Sequence, residues 1–308
     1  MKKVLIIAGP TAVGKSSLSV DLAQKFSGEI ISGDSMQVYR SLDIGTAKIT
    51  PTEMKGINHY LIDIKNIQQQ YSVVNFVSDA GDLIEKITNQ GKLPIIAGGT
   101  GYYLQALIKG LAFGGQKSSN DAIKKNLELE LQKSGSQALW NRLNSIDPLS
   151  AAKIPVNNSR KVIRALEVYQ VTGKLFSDQE NFGDRYDALV IGLNCDRQLL
   201  YQRINSRVDE MMKQGLLEEN QWLFNNGGME NPASKGIGYR EFDSYFSGDS
   251  NLEEVVSQIK QDSRHYAKRQ LTWFRNKLNV HWFNLVEHPA ELKEINTLIE
   301  KWRNNDEL

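Results

Sequence analysis

The chain of 308 residues exceeds what one hydrophobic core usually organises, which points to two domains or to one sizeable domain carrying an insertion. Its 40% hydrophobic and 24% charged residues describe a globular protein, and the lack of any apolar run near the roughly 18 residues that cross a bilayer excludes a membrane-spanning chain. A single cysteine, Cys195, excludes an internal disulfide and a multi-cysteine zinc site and fits a reducing cytoplasm.

Taken in chain order, Lys2 and Lys3 followed by apolar residues 4–8 imitate a signal peptide. The apolar run is too short and passes straight into a polar loop, so it is read as a first strand. That loop, Gly9-Pro10-Thr11-Ala12-Val13-Gly14-Lys15-Ser16, satisfies G-x-x-x-x-G-K-[ST] between the strand and a helix expected over 17–26. Glycines let backbone N–H groups converge on phosphate oxygens, the helix N-terminus adds positive potential, Lys15 supplies a point charge and Ser16 can ligate Mg²⁺. Further strands are expected at 29–32, 60–64, 93–97 and 189–193. Alternation of strands with helices predicts an α/β fold: a P-loop NTPase-like core with a mostly parallel sheet flanked by helices.

The strand over 29–32 ends at Asp34, and that over 93–97 ends at Gly98-Gly99-Thr100. In open α/β sheets ligands bind at the carboxyl edge, so a phosphate cradle, a carboxylate and a hydroxyl are expected to meet there. Asp63, closing the 60–64 strand, is a candidate second Mg²⁺ carboxylate or a solvated strand-end acid.

From about 113 to 185 no strand is expected. Helices over 122–133, 137–144 and 159–171 predict an all-helical insertion, with Val162, Leu166 and Tyr169 as the buried stripe of the last and Gly173 as its stop. The glycine-rich stretch 114–120 reads as its hinge. The domains are thus 1–112 with 186–308 for the core, and 113–185 for the insertion. After the insertion, a helix from about 198 carries Arg203 and Arg207 on one face. A long helix over 252–278 places Lys260, Arg264, Lys268 and Arg275 on one stripe and Val255, Ile259, Tyr266 and Trp273 on another.

Formal net charge is only +1, which taken globally argues against a nucleic-acid partner. Residues 153–174 nevertheless carry net +4 and residues 260–277 net +5, leaving about −8 for the remainder. The charge is segregated.

A P-loop specifies phosphate, not a reaction. There is no N-K-x-D guanine-reading motif, while a small-molecule kinase stays open. Six motifs in order are more specific: the P-loop, GDSMQVY at 33–39, DIGTAK at 43–48, GGT at 98–100, RALEV at 164–168 and GIGYRE at 236–241. Together they resemble the bacterial tRNA dimethylallyltransferase family, from the first strand to about His281, with the acidic C-terminal tail uninformative. The hinge lacks the prolines of the family pattern, and the zinc finger of eukaryotic relatives is absent.

The resemblance implies transfer of a dimethylallyl group from its diphosphate to the exocyclic N6 amine of the adenosine 3′ of the anticodon, by a cytoplasmic monomer with Mg²⁺. It implies a general base at Asp34, a tRNA-contacting threonine at Thr100 that completes the catalytic set, and a diphosphate-binding arginine at Arg207. On residues alone Arg207 reads as a surface partner of Asp209 or Glu210. The resemblance further places tRNA contacts at Asp34, Ser35, Met36 and Gln37, at Lys124, at Arg160, Lys161, Val162, Ile163 and Arg164, and at Gly238, Tyr239 and Arg240. Expected partners are the tRNA anticodon stem-loop and dimethylallyl diphosphate, with no membrane. An enzyme prenylating free adenine nucleotides, a P-loop kinase and a non-catalytic RNA-binding P-loop protein are the competing readings.

Overall fold

The computed structural model of the chain describes residues 1–111, 121–178 and 183–305. These fall into two compact units, Met1–Ile108 with Asp184–Leu308, and Lys109–Gly183, against limits of 113 and 185 read from the sequence. The segment 114–120 lies outside the described residues.

The first unit begins with β1 (Lys3–Ala8), buried from Val4 to Ala8, so the apolar run that imitates a leader is a core strand. α1 (Lys15–Phe26) follows from Gly14, whose left-handed conformation (φ 94°) turns the chain into the helix. Among the described residues no side chain caps α1. β2 (Gly28–Ser32) and the two-residue β3 (His59–Tyr60) come next. The strand expected over 60–64 stops early because Leu61 and Asp63 take positive φ, breaking the extended chain. α2 (Val73–Asn89) opens with a reciprocal capping box between Ser72 and Asn75, and β4 (Leu93–Gly98) and α3 (Gly101–Lys109) complete the first half.

In the second unit α4 (Asp121–Ile146) bends at Gly135, which has φ 80° and ψ 168°, between the two helices expected there. α5 (Pro148–Ala151) and α6 (Ser159–Thr172) follow, the latter capped by Asn158 and stopped by left-handed Gly173. Leu127, Leu139, Leu143, Ile154, Val162, Ile163 and Leu166 form its core, and the Trp140 indole N–H donates to the Ile154 carbonyl at 2.7 Å. Tyr169, expected inside, is 37% exposed.

Back in the first unit, β5 (Asp187–Leu193), α7 (Arg197–Lys213), α8 (Leu216–Asn225), α9 (Asp243–Phe246) and α10 (Leu252–Lys277) lead to β6 (His281–Phe283) and α11 (Leu292–Asn304). The sheet order is β3-β2-β4-β1-β5-β6, and every pairing is parallel. Strand residues such as Leu5, Ile7, Ile30, Ile95 and Ile191 join Leu18 and Leu22 of α1, Leu200 and Ile204 of α7 and Ile295, Ile299 and Trp302 of α11 in one core.

The tail that carries no family motif is therefore an amphipathic helix sealing the core. Trp302 is 4% exposed, and its indole N–H donates to Asp187 Oδ1 at 2.8 Å. Lys3 Nζ donates to Asp187 Oδ2 at 2.7 Å and to the Trp302 carbonyl at 2.6 Å. Burial raises the Asp187 carboxyl, but the bonds from Lys3 and Trp302 outweigh it and hold it below the ordinary value. Trp302→Ala leaves a cavity and an underbonded carboxylate, and is expected to lower unfolding free energy by about 3–5 kcal/mol in urea titration. The Asp187 contribution is present above the ordinary carboxylate pKa and lost as pH falls through the lowered one, so the wild-type advantage is expected to shrink in acid.

Candidate functional site

The parallel register ends β1, β2 and β4 at one level, with Ala8 opposite Gly98 and Ser32 opposite Ala97. The close approach beyond those ends requires glycine: a Cβ on Gly98 would lie 2.3 Å from the Gly33 carbonyl carbon. Gly33 N–H donates to the Ala97 carbonyl at 2.8 Å and Thr100 N–H to the Gly33 carbonyl at 3.3 Å, locking the two strand ends together.

A cavity of about 1480 Å³ opens on this edge. It is lined by Thr11, Ala12 and Gly14–Ser16 of the P-loop, Asp34–Gln37, Thr46–Thr50, Gly98 and Gly99, and by Arg203, Arg207, Arg240, Tyr266 and Arg269. Asp34 Oδ1 accepts the Met36 N–H at 2.8 Å, a turn that sets the carboxylate at the mouth of β2. Thr100 Oγ1 accepts the Ser35 N–H at 3.0 Å and donates to Ser35 Oγ at 3.3 Å, so Asp34, Ser35 and Thr100 form one hydrogen-bonded corner.

On the opposite wall α7 meets the P-loop. Arg203 Nε donates to the Ala12 carbonyl at 2.8 Å, holding a residue with φ 65°. One turn on, an Arg207 Nη lies 3.5 Å from Thr11 Oγ1. Arg207 is not the surface partner of Asp209 or Glu210: Lys260 takes Asp209 and Lys213 approaches Glu210. Burial lowers the Arg207 guanidinium, while Asp34 and Glu53 oppose that and keep it cationic. Burial, then Arg207, push the Lys15 ammonium down to about 8 against the pull of Asp34; its Nζ donates to the Pro10 carbonyl at 2.6 Å. Two cations and one carboxylate thus share one open cavity at the head of α1, an arrangement suited to a strongly anionic group with a proton acceptor beside it.

Several expected residues lie elsewhere. Asp63 is an ion-pair partner of Lys48 at 2.6 Å, and Lys48 also holds Asp43, so Asp63 is tied to the loop instead of facing the phosphate cradle. Tyr239 is 2% exposed, with its hydroxyl on Glu219 at 2.7 Å, and so cannot present its ring to a ligand; Gly238 and Arg240 beside it do line the cavity. Val162 and Ile163 point into the helical unit, leaving Arg160 and Lys161 exposed on α6; Arg164 pairs with Glu167 at 2.8 Å. Lys124 is exposed and 3.8 Å from Glu128. In the α10 stripe, Lys260 and Arg264 are committed to Asp209 and Asn205, while Lys268, Arg269, Arg275 and Lys277 are exposed.

Residues not expected at the site complete it. Tyr266, expected as packing, lines the cavity; burial and the Asp34 charge push its phenol to about 12, with hydrogen bonding from Thr100 opposing. Gln270 is 5% exposed and donates to the Gly99 carbonyl at 2.8 Å. The signal for both lay in the 3.6-residue spacing of α10, which places 259, 263, 266 and 270 on one face toward the cavity.

Since Lys15 must be protonated to hold an anion, inorganic pyrophosphate affinity is expected to fall as pH rises through about 8. Calorimetric titrations against Lys15→Arg, whose cation does not titrate, isolate this: between about pH 7 and about pH 9.5 the wild type is expected to lose about tenfold more affinity than the variant.

Comparison with known proteins gives the family. The family model described as IPP transferase matches residues 37–277. The tRNA dimethylallyltransferase of Ligilactobacillus salivarius is 53% identical over 304 residues, 98% of this chain and 99% of that protein, and that of Enterococcus faecalis is 51% identical over 304 residues, 98% of each. The crystal structure of a full-length tRNA isopentenylpyrophosphate transferase from Bacillus halodurans is 45% identical with a TM-score of 0.75, over 99% of this chain and 98% of that one. A eukaryotic dimethylallyltransferase acting on tRNA has a TM-score of 0.86 at 31% identity, over 100% of this chain and 81% of that one.

Proposed function

The chain belongs to the IPP transferase family, and from that premise we propose how its residues transfer a dimethylallyl group from dimethylallyl diphosphate to the N6 amine of the adenosine 3′ of the anticodon in tRNA. It is a prenyltransferase. The observation that carries the residue assignment is Asp34 sharing one open cavity with Lys15 and Arg207.

An adenine amine is a weak nucleophile because its lone pair is delocalised into the ring. Asp34 takes the N6 proton as the C–N bond forms, and the C–O bond to the diphosphate breaks with its electron pair leaving on oxygen. The P-loop N–H groups, Lys15 and Arg207 stabilise that leaving charge from fixed positions. Arg203, by holding the Ala12 carbonyl, keeps the loop in shape for it. Ser16 and Thr100 flank the two ends of the reacting pair, Ser16 toward the diphosphate and Thr100 toward the acceptor.

Ser16 offers an exposed hydroxyl at the head of α1, and Asp34 and Glu53 line the same cavity. So few oxygen donors suit Mg²⁺, which keeps several waters and binds chiefly through substrate phosphates. Ser16 would hold that ion, which would neutralise part of the diphosphate charge.

Anticodon-loop bases are unpaired, so the target can be turned out of its stack toward Asp34. Ser35, Met36, Gln37, Gly238 and Arg240 are the contacts proposed around that base; Arg160 and Lys161 of the helical unit, Lys124, and the exposed Lys268 and Arg269 of α10 are proposed to hold backbone phosphates. Among the described residues no helix is long and apolar enough to cross a membrane; tRNA as substrate supports a cytoplasmic location, and a monomer is proposed with it.

Asp34→Asn keeps the shape of the corner and removes the base. It is expected to lower kcat by about 10²–10⁴-fold with tRNA affinity within about threefold of wild type. In the same binding titrations Arg160→Ala/Lys161→Ala is expected to reduce the slope of log affinity against log salt by about 1 to 2. Unchanged turnover removes the general-base role, and an unchanged salt slope removes α6 from the RNA surface.

A further inference from the structure

The loop over 43–49 forms one wall of the cavity, yet it contains turns and no strand or helix of its own. Its shape is imposed from α8. Glu219 Oε2 accepts the backbone N–H groups of Asp43 at 2.7 Å and Ile44 at 2.9 Å; its Oε1 accepts the Gly45 N–H at 3.0 Å and the Tyr239 hydroxyl at 2.7 Å. One carboxylate thus chelates three successive amides and a phenol, the protein's own anion filling a nest of backbone dipoles. The next residue, Asn220, is buried and donates to the Gly238 carbonyl at 2.9 Å, joining the 236–241 turn to the same helix. Tyr239 lies so close beneath the loop that a Cβ on Gly45 would fall 2.6 Å from its ring.

From the other side the loop is tied to the acceptor corner. Gln37 Nε2 donates to the carbonyls of Thr46 and Ala47 at 3.3 Å each, and its Oε1 accepts from Ser32 Oγ at 2.9 Å. Gln37 is three residues from Asp34, on the segment that sets that carboxylate. A continuous chain of bonds therefore runs from Glu219 through the 43–47 backbone to Gln37, without touching the P-loop.

We propose that Glu219 is a positioning residue for the acceptor: it fixes the wall over 43–47, and through it Gln37, so that the target adenine enters in register with Asp34. The proposal rests on the acceptor reading of this cavity given above. Glu219 acts only as a carboxylate. All four of its bonds are received, two per oxygen, so the nearly isosteric amide of Gln would aim N–H donors at partners that are themselves donors. Burial first and the Glu219 charge second push the Tyr239 phenol well above its ordinary range, so its proton stays in place to donate. Because the diphosphate cradle is built on α1 and α7, the effect should separate acceptor from donor.

The test compares full-length wild type, Glu219→Gln, Glu219→Asp and Tyr239→Phe by amide hydrogen exchange, steady-state kinetics with tRNA, and pyrophosphate binding. In Glu219→Gln the amides of 43–45 are expected to exchange at least about tenfold faster and kcat/KM for tRNA to fall by about tenfold or more, with pyrophosphate affinity within about twofold. Glu219→Asp, which keeps the carboxylate, should recover part of both losses. Tyr239→Phe, which removes one bond of four, should show a smaller change in the same direction and keeps the claim open to test if Glu219→Gln does not fold. Unchanged exchange at 43–45, wild-type kcat/KM on tRNA, or an equal loss of pyrophosphate binding each overturns the proposal. A wild-type protein that does not prenylate tRNA overturns the acceptor reading instead, and leaves the role of Glu219 in holding the wall to the exchange data.

Discussion

β1, β2 and β4 run parallel and in register, and Gly33 and Gly98 pack backbone to backbone just past their ends. A side chain at Gly98 would collide with the Gly33 backbone and force the two strand ends apart, separating Asp34 from Thr100, while one at Gly33 would meet the Leu104 and Ile96 side chains. The site depends on that closeness because its parts are charged and act through short distances. Lys15, Arg207 and Asp34 lie in surroundings dry enough to push the lysine down to about 8. Two cations held near each other out of water are poised to gain from an anion that neutralises them, and the carboxylate limits their mutual repulsion.

Electrostatics also divides the molecule by task. Cations whose guanidinium or ammonium groups are bound to the fold, such as Arg203 on Ala12, Arg264 on Asn205 and Lys48 between Asp43 and Asp63, shape loops and helix packing. Cations exposed on helix surfaces, among them Arg160, Lys161, Lys268 and Lys277, are available to a polyanion. Near-zero net charge is therefore an average over two basic segments and an acidic remainder. Acidic residues share the structural work: Glu219 organises a wall that has no regular structure of its own, and Asp187 clamps the ends of β1 and α11.

The parallel core was legible because buried strands in such sheets are continuous apolar runs, as in 4–8, 93–97 and 189–193, and because the P-loop fixes where strand gives way to helix. The edge strands were legible only in part: the strand expected over 60–64 is the two-residue β3, and β6, three residues long, is too short for any period. α11 carries no motif, although Ile295, Ile299 and Trp302 keep the helical spacing of a buried stripe. In the site, Asp34, Thr100 and Lys15 could be placed from strand ends alone, since topology brings such ends together. Tyr239 and Ile163 show the converse. Membership of a motif carries no information on which way a side chain points, and these two are required by packing, as is Val162, which helical spacing had already placed inside. Tyr266 and Gln270 reach the cavity from α10, where helical spacing puts them on one face without saying what that face meets, and Glu219 acts on the cavity wall from α8, a contact that only tertiary structure assigns.

The central claim is that one sheet edge joins a diphosphate cradle to a base that activates an RNA amine. It is tested most directly by incubating unmodified tRNA, and AMP in parallel, with the protein, Mg²⁺ and dimethylallyl diphosphate, then digesting the RNA and analysing its nucleosides by mass spectrometry. N6-(dimethylallyl)adenosine is expected at the position 3′ of the anticodon, with one pyrophosphate released per modified tRNA and no product on AMP. Product on AMP alone, or pyrophosphate release without a modified nucleoside, would contradict it.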